Sequence, residues 1–249
     1  GNWVFTPVAG ANGTGYASFT FSVRDSNNTY DAAPNTLTVN VTAANDAPTD
    51  LALSANTVAE NAANGTSIGT VSGTDPDSGD TQSYSLTDTA GGRFAIDSST
   101  GEITVANGTL LNYEAAASHS VTVRVTDSGG LTYDETFTVN LTNVNESPTG
   151  ADATVTINED GSHTMTAANF GFSDVYLVDG MGAAEIDTLP GAGSLTLSGV
   201  AVTAGQVITV ADITAGNWVF TPVAGANGTG YASFTFSVRD SNNTYDAAP

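Results

Sequence analysis

Carboxylates are the side chains in this sequence with the most chemistry to offer. The 249 residues hold 26 aspartates and glutamates against four arginines (Arg24, Arg93, Arg124 and Arg239) and no lysine, a formal net charge of −22. The acids gather in short polar runs: Asp75-Pro76-Asp77-Ser78-Gly79, Val125-Thr126-Asp127, Asn158-Glu159-Asp160 and Ser173-Asp174. Two near-copies, Ala44-Asn45-Asp46-Ala47-Pro48-Thr49 and Val144-Asn145-Glu146-Ser147-Pro148-Thr149, add amide and carboxylate oxygens beside a proline. Oxygen donors in such clusters suit Ca²⁺, a hard cation that takes six to eight oxygens at about 2.3–2.6 Å. The same surface repels nucleic acid and anionic membranes, whose binding needs Lys and Arg against phosphate. No apolar run reaches the roughly 18 residues of a membrane span, so no direct membrane insertion is expected.

Other chemistries find little support. With no cysteine there are neither disulfides nor thiolate metal sites. His119 and His163 lack a second histidine at metal-ligand spacing. Gly65-Thr66-Ser67-Ile68-Gly69 matches the Gly-x-Ser-x-Gly elbow by letter, but no helical pattern follows it, as that strand-to-helix turn requires. No catalytic residue or organic cofactor is assigned, and the chain reads as a non-enzyme. Trp3 and Trp218 alternate with Phe5 and Phe220 and are expected to pack on a sheet or in a core.

The elements that hold these acids are strands. Apolar residues alternate with period two in Ala17-Phe19-Phe21-Val23, Leu37-Val39-Val41, Val121-Val123-Val125, Phe137-Val139-Leu141, Ala153-Val155-Ile157 and Ala232-Phe234-Phe236-Val238. Asp97-Ser98-Ser99-Thr100-Gly101 joins Phe94/Ile96 to Ile103/Val105 as a hairpin. The helical period is nearly absent. Short strands between Gly, Asn, Asp and Ser turns predict an all-β chain of tandem β-sandwiches joined by short Pro-containing linkers.

Residues 1–34 recur letter for letter as 216–249, an offset of 215 (216 − 1). Many sequences fit one backbone, so identity at this length points to recent duplication within a tandem array. The linkers divide the chain into 1–45, the back half of one repeat; 46–147, a complete domain; and 148–249, a second repeat without the strand equivalent to Leu37–Val41. The array supplies neighbouring repeats as partners. The incomplete repeat further predicts head-to-tail self-association, with residues 1–45 of one chain completing 148–249 of another.

Residues 46–147 resemble bacterial cadherin-like repeats in Val58-Ala59-Glu60-Asn61, Gly73-Thr74-Asp75-Pro76-Asp77, Phe94-Ala95-Ile96-Asp97, Thr100-Gly101-Glu102-Ile103, Leu111-Asn112-Tyr113-Glu114 and Val125-Thr126-Asp127. Residues 148–249 resemble the VCBS-type, Ig-like repeats of large secreted adhesins of the RTX type. Their marks are Ile157-Asn158-Glu159-Asp160, Phe172-Ser173-Asp174, Leu189-Pro190, Gly199-Val200 and Phe220-Thr221-Pro222. The cadherin resemblance implies that Asp75, Asp77 and Asp127 face the preceding linker and meet Asn45 and Asp46. It implies that Glu60 and Glu114 face the following linker and meet Asn143, Asn145 and Glu146. Asn112 stands where that pattern has aspartate, and Ala43 and Asn143 replace linker acids, which implies fewer or weaker ions at those positions. In the second repeat Glu159, Asp160, Asp174, Asp179 and Asp187 are candidate ligands, with Asp240/Asp246 a further pair copied as Asp25/Asp31. The resemblance implies an extracellular, cell-surface, calcium-rigidified extender of a bacterial adhesin. The alternatives are a glycan-binding or homophilic adhesion module and a self-assembling filament subunit.

Overall fold

In a computed structural model of the chain, residues 2–175 and 179–247 are described. Strands β1 (Gly13–Phe21) and β2 (Asn35–Val41) form an antiparallel pair, with Phe19 opposite Leu37 and Ala17 opposite Val39. Eight strands follow: β3 (Asp50–Leu53), β4 (Thr57–Ala59), β5 (Ser67–Thr74), β6 (Ser83–Asp88), β7 (Phe94–Ile96), β8 (Glu102–Val105), β9 (Ser118–Thr126) and β10 (Thr132–Thr142). They form two four-stranded sheets, in the orders β3-β5-β8-β7 and β4-β10-β9-β6. The β4–β10 pairing is parallel. Ser67 opens β5, with strand rather than helix after the serine.

The alternation read from the sequence is the burial pattern of β9 and β10, whereas Phe19, Phe21 and Leu37 of β1 and β2 are exposed. Val121, Val123 and Val125 of β9 are fully buried, each contributing about 1.5–3 kcal/mol of apolar transfer. The hairpin at residues 97–101 turns through Gly101 at φ +73°, where a Cβ would sit 2.5 Å from the Val71 carbonyl oxygen. Glycine is required there on both counts.

From residue 149 onward come β11 (His163–Thr164), β12 (Met181–Ile186), β13 (Ser194–Leu197), β14 (Val200–Ala201), β15 (Val207–Thr209), β16 (Trp218–Thr221) and β17 (Phe236–Asp240). The sheets run β11-β16-β13-β14 and β15-β12-β17. Their core holds Met165, Phe170, Ala184, Ile186, Leu195, Ile208, Ile213, Trp218 and Val238. Trp218 stacks on Phe170 at 5.0 Å between centroids, 5° from parallel, and Phe236 meets Phe170 edge-on at 4.9 Å. Among the described residues one α-helix, α1 (Val210–Thr214), is capped by Thr209, whose side chain accepts the Asp212 N–H.

Two sequence expectations differ from what is seen. Ala153-Val155-Ile157 alternates but lies in no strand, and Ala232 and Phe234 fall outside β17. Alternation marks residues able to line a sheet face, whereas a strand also needs a partner for its backbone groups.

By internal packing the chain divides into two compact units. One comprises Gly1–Asn56, Asn64–Asn107 and Ser120–Thr138; the other comprises Thr57–Ala63, Gly108–His119 and Val139–Pro249.

Candidate metal-binding clusters

Among the described residues three groups of carboxylates converge, each within one unit. In each, one ligand atom per residue lies within 4.8 Å of the others: Glu60/Glu114/Glu146, Asp75/Asp80/Asp127 and Asp174/Asp179/Asp240.

Glu60 follows β4 directly and is only 1% exposed. Its carboxylate is held by two backbone donors, Tyr113 N–H at 2.7 Å and Val144 N–H at 2.8 Å. One donor comes from the Leu111–Glu114 turn and the other from the segment after β10, so the charge is placed where chain ends meet. Glu114 and Glu146 complete the group. Both Glu114 carboxylate oxygens, Glu146 Oε2 and Asn143 Oδ1 are buried without a hydrogen-bond donor. Leaving buried acceptors unmade costs about 1–3 kcal/mol each, more when they are charged. Burial, then the Glu60, Glu114 and Asp174 charges, push the Glu146 carboxyl above the usual glutamate range. Four orphaned oxygens beside a satisfied buried carboxylate are a donor set that fits a hard divalent cation.

In the second group Asp127 directly follows β9 and is 5% exposed. Its oxygens accept Leu131 N–H at 2.7 Å and Asn45 Nδ2 at 2.8 Å. Asp75 Oδ1 takes Asp77 N–H at 2.8 Å, while its Oδ2 is buried without a partner. Asp77 itself accepts Asp46 N–H at 2.7 Å. Ser128 holds the Asp80 carboxyl below the usual aspartate range by hydrogen bonds.

The third group repeats the second. Asp240 ends β17, is fully buried, and accepts Thr244 N–H at 2.7 Å and Asn145 Nδ2 at 2.7 Å. Asp174 and Asp179 stand five residues apart (179 − 174), as Asp75 and Asp80 do (80 − 75). Ser241 and Asn242 donate to Asp179. Each of these two groups therefore combines one linker asparagine, two aspartates at a five-residue spacing and one aspartate at a strand end.

The sequence candidates fall as follows. Glu60, Glu114 and Glu146 come together, with Asn143 beside them; Asp75 and Asp127 come together, with Asn45 and Asp46 bonded to the same segments. Asn145, placed by the resemblance beside Glu60, instead bonds Asp240 and Thr244. Glu159 and Asp160 join none of these clusters: Glu159 accepts Asn227 Nδ2 at 3.0 Å and Asp160 accepts Gly225 N–H at 2.7 Å. Asp187 accepts from Ser237. Asp80 was not among the candidates; its signal was the five-residue spacing shared with Asp174/Asp179. Trp218 is fully buried, while Trp3, identical in sequence context, is fully exposed.

Residues 55–142 match the Cadherin domain family model. Among solved structures, mouse cadherin-23 EC22-24 is 20% identical, with a TM-score of 0.59 over 92% of this chain and 71% of that one. Protocadherin gamma B2 extracellular cadherin domains 1–5 is 17% identical, with a TM-score of 0.55 over 92% of this chain and 44% of that one. The protocadherin gammaB7 EC3-6 cis-dimer structure is 19% identical, with a TM-score of 0.51 over 92% of this chain. The chain spans 55% of that structure's length. The comparison with curated proteins gives no match. The fold is thus cadherin-like and almost entirely β. Among the described residues no helix is long and apolar enough to cross a membrane.

Proposed function

We propose that this chain is an extender segment of a large, repetitive bacterial surface adhesin, stiffened by Ca²⁺ bound where its repeats join. The observation that carries the reading is the set of buried oxygens without donors around Glu114, Glu146 and Asn143, next to the doubly held Glu60. Without metal, three carboxylates at this spacing repel and the segment loosens. With metal, oxygens from Glu60, Glu114, Glu146 and Asn143 share one cation and the linker after β10 is fixed. Asp75/Asp80/Asp127 with Asn45, and Asp174/Asp179/Asp240 with Asn145, supply equivalent sites at the two proline linkers. Extracellular, cell-surface placement and head-to-tail association of copies belong to the same picture of a fibre.

Small-angle scattering of the chain in calcium and then in chelator tests the proposal. A maximum dimension that grows more variable in chelator and sharpens in calcium supports it, and identical profiles refute it. The glycan-binding alternative gains no support from Trp218, which is fully buried.

A further inference from the structure

Among the aspartates of this chain only Asp160 and Asp179 are followed by glycine. That pairing carries a chemistry of its own. The backbone nitrogen after an aspartate can bond to the aspartate Cγ, one carboxyl oxygen leaves as water, and a succinimide ring forms. Water then opens the ring on either side. The product is aspartate again, or isoaspartate, whose main chain runs through Cγ. A side chain on the following residue crowds the closing ring, and glycine has none.

The two pairs stand in different surroundings. At the first, Gly161 N–H donates to the Asn158 carbonyl at 3.1 Å and the Asp160 carboxylate accepts Gly225 N–H at 2.7 Å. Nucleophile and electrophile are both tied to other backbone groups. At the second, Gly180 is exposed and its N–H bonds no described residue. The Asp179 carboxylate is held by side chains alone, Ser241 Oγ–H donating to Oδ1 and Asn242 Nδ2–H to Oδ2. Donors on both oxygens draw charge away from Cγ, the atom to be attacked. Asp80 takes the equivalent place in the Asp75/Asp80/Asp127 group, but Thr81 follows it, and a β-branched side chain is stiff and bulky where the ring would close.

We propose that Asp179 is a site of spontaneous isoaspartate formation, which disables the Asp174/Asp179/Asp240 cluster when it stands without metal. Isoaspartate lengthens the main chain by one carbon and leaves its carboxylate directly on Cα. That group is drawn back from Asp174 and Asp240, whose ligand atoms lie within 4.8 Å of the present one. A cation in the cluster holds the oxygen that must leave and fixes the side chain, so metal protects the residue; this clause rests on the proposed function, whereas the isomerisation does not. The change runs one way in effect: a cluster left empty for long loses the ability to refill, while Asp75/Asp80/Asp127 keeps it.

The test ages the full chain at physiological temperature in mildly acid buffer, with chelator or with calcium. Digestion and electron-transfer fragmentation then tell isoaspartate from aspartate residue by residue. That resolution matters because Asn–Gly pairs such as Asn64–Gly65 reach the same product with loss of ammonia. In chelator, isoaspartate at residue 179 should exceed that at Asp160 and Asp80 several-fold. G180T copies the Asp80–Thr81 pair into a position where an added Cβ meets nothing within 4 Å, and it should cut the yield several-fold. Aged wild type should bind one terbium ion fewer than fresh protein, and aged G180T as many as fresh. No isoaspartate at residue 179, as much at Asp160, or an unchanged yield in G180T overturns the inference. Calcium should suppress the product; equal yields in the two buffers uphold the isomerisation and refute the metal reading of this cluster, so the two fail separately.

Discussion

Replacing Glu146 by glutamine separates a metal site from an ordinary polar cluster, because the two readings give opposite signs. Ligand atoms of Glu60, Glu114 and Glu146 lie within 4.8 Å of one another. Two unit charges at that spacing repel by roughly 3 kcal/mol at an effective dielectric constant of about 20. Neutralising Glu146 removes two of the three pairs. Salt screening reduces the sum. The metal-free E146Q protein is therefore expected to gain about 1–2 kcal/mol. That is an upward Tm shift of about 4 °C per kcal/mol for a unit of 130 residues (7 + 12 + 111). In calcium that advantage shrinks to about zero. At a hundred times its Kd, calcium stabilises wild type by about 2.7 kcal/mol. A tenfold weaker site loses about 1.4 kcal/mol of that increment. Scanning calorimetry of both proteins in chelator and in calcium reads all four values. A lower Tm for E146Q in chelator, or an undiminished calcium increment, refutes the reasoning.

Without metal, stability should fall as pH rises from mildly acid to neutral. Burial, first of all, raises Glu146 and Asp246 above their ordinary values of 4.5 and 3.8. A raised folded-state value adds stability below the unfolded value and loses it as pH climbs through the raised one. Calorimetry in chelator from pH 4.5 to 7 checks this, and the calcium increment should move the opposite way because protons compete for the same oxygens. N145A leaves fully buried Asp240 without its amide donor and should cost about 1–3 kcal/mol in urea unfolding without calcium. W218A, which empties the place against Phe170, should cost about 3–5 kcal/mol in the same assay. W3A, at an exposed position, should stay within about 0.5 kcal/mol of wild type.

How much was legible in the sequence depended on whether a signal was local. Val121-Val123-Val125 alternates because β9 is buried on one face, and the Phe94–Val105 hairpin is announced by its own turn. Ala153-Val155-Ile157 carries the same signal yet pairs with nothing, since a ladder needs a second strand that local pattern cannot name. Helix α1 is five residues long, too short for a 3.6-residue period to show; only the Thr209/Asp212 cap marks it. At the candidate site the acids at strand ends were readable from their motifs. Asp80 was not, because it sits past the Asp75–Gly79 turn. It emerges only when Asp75/Asp80 is laid beside Asp174/Asp179. Asn145, which the cadherin resemblance set beside Glu60 and Glu114, turns its side chain toward Asp240, 95 residues away.

The pairing of Asn45 with Asp127 and of Asn145 with Asp240 bears on why the chain tolerates so lopsided a charge. Each linker asparagine donates to the strand-end aspartate of the repeat that follows it, at 2.8 and 2.7 Å. An asparagine orients that carboxylate without neutralising it, which an arginine or lysine in the same place would do. Of the four arginines, Arg124 is spent on Asp134 as an exposed pair, and Asp134 belongs to none of the clusters. With no lysine elsewhere, the clustered carboxylates keep their charge for a cation. On the proposed reading every added repeat brings its own asparagine, its own three aspartates and its own unmet demand for metal, so the site count grows with the array and no single junction is special. N145K is then the sharpest substitution at the second linker: an ammonium beside Asp240 should raise metal-free stability and abolish the calcium increment there, while leaving the increment from the Asp75/Asp80/Asp127 group intact. Terbium luminescence titration, read for one site lost and the rest unchanged, checks it; loss of all sites together would mean that the clusters do not bind independently.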